Sequence, residues 1–309
     1  MHMSKYYWLI GILLSAFLVV SCGKVVPTTT STTTTLASRA STFGSGFLAD
    51  PTDVVVDSSG NIFVANIAND TISKFDSSFT FVATIGATGT GDGEFRYPFS
   101  IALDSNDNLY VADFNNNRAQ KFTYANGQYS FAFKFSTVPR GIVVDTSGNI
   151  YVSASSGLVK YDNTGTFLSF LATLGAGSGE VNNPYGLARD SSNNIYVAEV
   201  NNNRIQKFSA GGTSLWTLGS LGTGESQFHW PNDVAVDSDG NIYVTDKGNN
   251  RLEVFDSSGN FLSSHVSFEG VEQPLFWPIG ITIDQNNNIY IAETGRDRIV
   301  VVPRSLIIP

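Results

Sequence analysis

The chain has 309 residues, 42% hydrophobic and 15% charged, enough for one large or two ordinary globular domains. Its formal net charge is −9 at pH 7, and its Lys and Arg residues nowhere cluster. Binding to a phosphate backbone needs such clusters, so no nucleic-acid partner is expected.

Behind the single Lys5, residues 6–20 form an uncharged, mostly apolar run of 15 residues. A bilayer-spanning helix needs about 20 residues, so the run reads as the apolar core of an export signal. It ends in "LVVSC", where Cys22 is the only cysteine of the chain. These residues resemble a bacterial lipobox. The resemblance implies that residues 1–21 are removed, that the Cys22 thiol is lipidated, and that the protein is anchored to a membrane of the bacterial cell envelope. Gly23 after the cysteine implies the outer membrane or cell surface where there are two membranes. Cleavage removes Lys5 and no acid, leaving 17 basic against 27 acidic residues. Residues 22–39 follow as a tether, because eight consecutive hydroxyl residues, Thr28–Thr35, cannot form a core. With no cysteine beyond Cys22, the exported domain holds no disulfide and no thiolate metal ligand.

From residue 40 to the end a single unit recurs. Six segments share Pro-x-x-apolar-x-apolar-Asp, a short turn, then Ile/Leu-aromatic-Val/Ile and a small residue. They begin at Pro51, Pro98, Pro139, Pro184, Pro231 and Pro278, spaced by 47, 41, 45, 47 and 47 residues. Period-two patterning of β-branched and aromatic residues predicts strands. In the fifth unit strands a to d are 234–237, 242–246, 251–256 and 261–264, joined by turn-forming Asp, Gly, Asn and Ser. No helix is predicted beyond Cys22. Four strands per unit of about 45 residues match the blades of a β-propeller, which usually number about 4–8.

"NPYGLARDSSNNIYVAEVNNNRIQKF" resembles the NHL repeat, and the resemblance recurs six times over some 260 residues. It implies an all-β, six-bladed propeller of four-stranded antiparallel blades and leaves the activity open, since the fold serves enzymes and binding scaffolds alike. WD40 repeats are set aside because their Gly-His and Trp-Asp signatures are missing. The last unit lacks a good fourth strand. "STFGSGFLADP" resembles the end of strand d and the loop after it, so residues near Ala40–Gly44 are expected to close the sixth blade, leaving Leu306–Ile308 as a peripheral tail.

Comparison between units separates scaffold from function. An acid ending strand b and an Arg opening strand c stand five residues apart at Asp113/Arg118, Glu199/Arg204, Asp246/Arg251 and Glu293/Arg298. Both charges vanish together in the first unit (Asn66, Thr71) and the third (Ala154, Gly157). Such charges are partners clasping the b–c hairpin, worth ~0.2–1 kcal/mol each if exposed and more if buried. The aspartates ending strand a, from Asp57 to Asp284, read as turn residues: an EF-hand loop from Asp237 would need Glu where Gly248 stands. The glycine-rich "GATGTGDGEF" and "GSLGTGESQF" read as d-to-a connections, with no following helix to cradle phosphate.

Departures from the repeat nominate a binding face. The residues flanking each blade proline include Tyr97, Phe99, Arg140, Tyr185, Trp230 and Trp277, an aromatic set that the topology gathers on one face beside His229. Arg189, where other units carry an aliphatic residue, is expected to reach solvent near its strand end. Catalytic groups are scarce. Beyond Cys22 only His229 and His265 remain, and His229 is the one candidate general base. Lactonase-like six-bladed propellers hold calcium in the channel, and Asp53 and Asp233 are the carboxylates placed to do so. The reading is therefore a membrane-tethered binding module, expected to be monomeric, for an envelope protein, peptide or glycan. No resident cofactor is expected; the alternative is a calcium-dependent hydrolase, lactonase or lyase.

Overall fold

A computed structural model describes residues 39–308. Cys22, the expected lipidation site, and all but the last residue of the expected tether lie outside the described residues. The described chain is a six-bladed β-propeller of antiparallel blades. The innermost strands, a, begin at the six repeat prolines: Pro51–Val56, Pro98–Leu103, Pro139–Val144, Pro184–Arg189, Pro231–Val236 and Pro278–Ile283. Each pairs outward with strand b, b with c, and c with d. In blade 5 the strands are Pro231–Val236, Ile242–Asp246, Arg251–Phe255 and Phe261–His265. In blade 3 a short fifth strand, Glu180–Val181, adds in parallel outside Phe167–Leu174.

Strand b is buried along its whole length in every blade, since neighbouring blades cover both of its faces. This explains why its sequence is a continuous apolar run and not an alternating one. The apolar clusters accordingly sit between blades: Ala188, Tyr196 and Ile205 of blade 4 pack on Val234, Ile242 and Val244 of blade 5. The turn aspartates play the role their sequence gives them. Asp237 accepts the Asp239 and Asn241 amides at 2.9 and 2.8 Å, and the buried Tyr243 hydroxyl donates to it at 3.0 Å. The same tyrosine-to-aspartate bond closes the a–b turn in blades 2, 3, 4 and 6.

Ring closure comes from the N-terminal side. Ser41–Phe43 pairs antiparallel with Arg298–Pro303, in the register Ser41 to Val301 and Phe43 to Ile299, and is the fourth strand of blade 6. The end of the chain departs from expectation. Leu306–Ile308 is not peripheral: Ile307 is buried in the cluster of Leu252, Val254 and Val300, and its carbonyl accepts the Ser263 hydroxyl at 3.3 Å. Arg304 Nη2 reaches Asp239 at 2.6 Å. The three apolar residues Leu306, Ile307 and Ile308 thus pack into the gap between blades 5 and 6.

Because both segments seal the last blade, a chain starting at residue 37 should melt like the full exported domain. One starting at residue 46 should melt lower by roughly 10 °C or more, the effect of losing several kcal/mol in a domain of this size. Thermal unfolding of the two truncations checks this, and equal midpoints would show that the closing strand is dispensable.

Candidate functional site

The clasp pairs form, and they do more than hold a hairpin. Arg118 Nε meets Asp113 at 2.6 Å, with the acid fully buried. The rest of its guanidinium donates to the carbonyls of Thr90, Gly91 and Glu94 at 2.7–2.8 Å. Arg204 holds Ala176, Gly177 and Glu180 in the same way, and Arg251 holds Thr223, Gly224 and Gln227. Arg298 with Glu293 reaches the Gln273 carbonyl. Every one of these carbonyls belongs to the d-to-a connection entering that blade. The charges are missing in blade 3 because its connection is only Thr137 and Val138, with no loop to hold. In blade 1 Asn66 accepts the Ala49 amide instead. With its acid fully buried and its arginine mostly so, each pair is far from an exposed ion pair; removing one partner costs about 3–5 kcal/mol.

A glutamine completes the clasp in two blades. Gln120 Nε2 donates to the Glu94 carbonyl at 2.8 Å while its Oε1 accepts the Gly93 amide at 3.0 Å, and Gln206 repeats this in blade 4. Blade 5 has Glu253 there. It is fully buried, and neither carboxyl oxygen completes a hydrogen bond, although Arg251 Nη2 stands 3.3 Å away. Burial pushes its pKa up to about 7, opposed by Arg251 and the Ser226 amide and reinforced by Asp246 and Glu225.

The loops so held deliver the residues that precede the prolines. Asp50, Tyr97, Asn183, Trp230 and Trp277 all adopt left-handed backbone, with φ between 49° and 58°. Asn and Asp tolerate this conformation, whereas for a bulky residue it is an outlier. The hairpin of the preceding blade holds the position: the Tyr97, Trp230 and Trp277 amides donate to Asp70, Asn203 and Asn250 at 2.7, 3.0 and 2.8 Å. Asn203 and Asn250 are the residues just before the clasp arginines, which explains the asparagine-rich spelling of those hairpins.

These positions converge on the mouth of the central channel. A cavity of about 330 Å³ is lined by Tyr97, Phe99, Tyr185, Trp230 and Trp277, with Asp50, Asn232, Lys247 and Thr294 among its polar groups. Trp230 and Trp277 are 51% and 49% exposed, so their rings stand open to solvent. Phe99 meets Tyr185 edge-on at 5.3 Å and Tyr97 at 6.2 Å, forming one aromatic wall. Burial raises the Tyr97 pKa, with Tyr185 and Asp50 adding to the rise. Arg140 lies just below, its guanidinium over Tyr185 at 4.9 Å and Phe114 at 5.4 Å. His229 is not among the lining residues: its ring packs against Trp230 at 4.3 Å, as Phe276 does against Trp277. Its ring supports that of Trp230. Lys247 and Phe114 were missed by the sequence comparison. Both follow the clasp acid, a position otherwise held by Ile67, Ser155, Val200 and Thr294, and aligning that position across units would have found them.

Below the mouth the channel narrows to a waist lined by Asp53, Ser100, Gly186, Asp233 and Gly280, then widens to about 470 Å³ toward the far face. Asp53 and Asp233 do line the channel, but as latches between blades. Asp53 accepts the Val54 amide and, across the gap, Ile101 of blade 2, both at 2.8 Å. Asp233 accepts Val234 and, in blade 6, Ile281 at 2.8 and 2.9 Å. Where the third residue of strand a is glycine, the neighbour packs directly against it; a Cβ on Gly186 would lie 1.8 Å from an Asp233 oxygen. Burial raises both acids, Asp53 to about 6, and Asp53 adds to the rise at Asp233. Among the described residues no three His, Cys, Asp or Glu side chains gather as a metal-binding group. Arg189 borders the wide lower cavity and donates to the Val144 carbonyl of blade 3 at 2.8 Å.

The comparisons with known proteins agree with this architecture. A family model for the NHL repeat matches residues 181–208 and 228–255, in blades 4 and 5, and one described as a 6-bladed beta-propeller matches residues 46–152. The chain is a six-bladed β-propeller that carries NHL repeats. No curated protein matches its sequence. Among solved structures, a structural-genomics protein of unknown function from Bacteroides thetaiotaomicron superposes with a TM-score of 0.66 at 18% identity, over 82% of this chain and 69% of that one. A gluconolactonase from Xanthomonas campestris gives 0.64 at 15% identity, over 86% and 91%. Virginiamycin B lyase from Staphylococcus aureus gives 0.58 at 13% identity, over 85% and 98%. At these identities the likeness is one of fold.

Glu253 supplies a pH test of the clasp. A carboxyl whose folded pKa is raised from 4.5 to about 7 binds extra proton in the folded state, so its contribution to stability falls as pH rises through that window and stays low above it. Glu253→Gln restores a donor for the Gln227 carbonyl and removes the titration. The variant should therefore gain several degrees in Tm over wild type at pH 8 and little at pH 5. Equal shifts at both values would show that the proton on Glu253 has no part in holding the loop.

Proposed function

We propose that this propeller is a binding module, which takes an amphipathic envelope ligand in the aromatic mouth of its channel. The observation that carries this reading is the left-handed backbone of Tyr97, Trp230 and Trp277. The scaffold adopts that conformation before five of the six blade prolines, all but Val138 before Pro139, and Asp50 and Asn183 meet the need at little strain. An aromatic residue there costs about 1–2 kcal/mol, and the rings of Trp230 and Trp277 recover little of it by burial. Backbone geometry therefore does not select these rings; recognition does, since strain of this kind concentrates at binding sites and aromatic residues dominate recognition energetics. The calcium-dependent hydrolase reading has less support, because Asp53 and Asp233 already accept amide hydrogen bonds with both carboxyl oxygens. We place the module in the bacterial envelope, anchored through Cys22, on the strength of "LVVSC" and the threonine-rich stretch behind it.

Two experiments test these statements. Trp230→Asn with Trp277→Asn should leave Tm unchanged or raise it by relieving strain, while capture of envelope ligand by the exported domain is lost. A Tm lowered by the pair would show instead that the rings are packing elements, and the site would be withdrawn. Cys22→Ser should shift the protein from the membrane fraction to a soluble or uncleaved form; a correctly cleaved variant that still sediments with membranes would disprove lipid anchoring.

A further inference from the structure

We infer that the ligand of this mouth is an acidic saccharide, a sugar ring bearing a carboxylate, read by Lys247 from the wall and Arg140 from beneath. The inference rests on the binding reading above and adds the chemistry of the ligand. Lys247 is the only charged residue at its position among the six blades, where Ile67, Phe114, Ser155, Val200 and Thr294 stand in the others. It lines the cavity, with its Nζ 5.6 Å from the centre of the Trp277 ring. Neither Lys247 nor Arg140 makes an ion pair with an acid among the described residues; both stack on aromatic faces instead. Burial pushes the Lys247 pKa down, so its ammonium group is partly stripped of water and an anion placed beside it would restore what was lost. Two aromatic-backed cations, Lys247 at the mouth and Arg140 at the waist just below it, in a chain of net charge −9, point to an anionic ligand.

The remaining lining favours a sugar over a peptide. Half-exposed Trp230 and Trp277 flank the lysine, and a pyranose can lay its C–H face on such rings while its hydroxyls meet Asn232, Thr294 and Asp50. The cavity, at about 330 Å³, lies at the small end of the usual ligand range of ~300–1,000 Å³, which suits one or two rings. A peptide that docks by adding a strand needs open N–H groups along an edge. Here every innermost strand opens at the rim with a proline, which has none.

The test is quenching of tryptophan fluorescence in the exported domain, titrated with digalacturonate, with neutral galactobiose and with the peptide Ac-Ala-Phe-Ala bearing a free carboxylate. Digalacturonate should bind at least tenfold tighter than galactobiose and weaken as salt rises. Lys247→Met, which keeps the aliphatic stem, and Arg140→Gln should each lose about tenfold for digalacturonate with Tm unchanged, and neither should alter galactobiose binding. Equal affinity for the two sugars, or undiminished digalacturonate binding in both variants, overturns the acidic assignment while the aromatic mouth stands. Peptide binding without sugar binding overturns the saccharide class. Binding of none of the three overturns the inference, and the paired tryptophan substitution then decides separately whether the mouth binds anything.

Discussion

The buried guanidinium–carboxylate clasp is the constraint on which the upper face depends. A d-to-a connection must run from the rim of one blade to the axis of the next, and a long connection leaves several carbonyls without strand partners. One arginine, neutralised by an acid at the end of strand b, satisfies three of them at once, as Arg118 does for Thr90, Gly91 and Glu94. Burying that charge is tolerable because an acid neutralises it and most of its donors are used. The clasp therefore tracks loop length: it is present in blades 2, 4, 5 and 6, and absent in blade 3, where two residues make the crossing.

A second set of bonds runs around the ring. Four b–c hairpins end in a left-handed Asn or Asp, Asp70, Asn203, Asn250 and Asp297, whose side chain accepts the amide before the next blade's proline, while Asn117 holds Thr137 through its backbone carbonyl. At the waist Asp53 and Asp233 make the corresponding link from one innermost strand to the next. Blade interfaces are otherwise apolar and non-directional, so these hydrogen bonds set the rotation of one blade against its neighbour. They also fix where the aromatic rings point. The mouth is thus built from positions whose backbone is dictated by the ring and whose side chains are free to vary, which is how a repeated scaffold acquires a single site.

The proposed binding role rests on that division. Trp230 and Trp277 occupy positions where Asp or Asn would be easier for the backbone, and His229 and Phe276 brace them from behind. Lys247 adds a cation where every other blade is neutral. The waist below is narrow and latched by Asp53 and Asp233.

The sequence by itself determined the blade count, the strand order, the turn role of the aspartates and the pairing of each clasp acid with its arginine, because those features repeat and a repeat reports local rules six times over. It also nominated Tyr97, Phe99, Tyr185, Trp230 and Trp277, since each breaks the repeat at a position already aligned by its proline. Only the tertiary structure decided what the pairs hold, because the carbonyls that Arg251 binds lie 24–28 residues away in a loop of no fixed spelling. It set His229 against Trp230, bonded Asp53 and Asp233 to the amides of the next blade, and drew Ile307 into the core between blades 5 and 6. Each of these outcomes depends on which blade stands next to which and how far it is rotated. That relation is set by packing across the ring, which no single unit of sequence encodes.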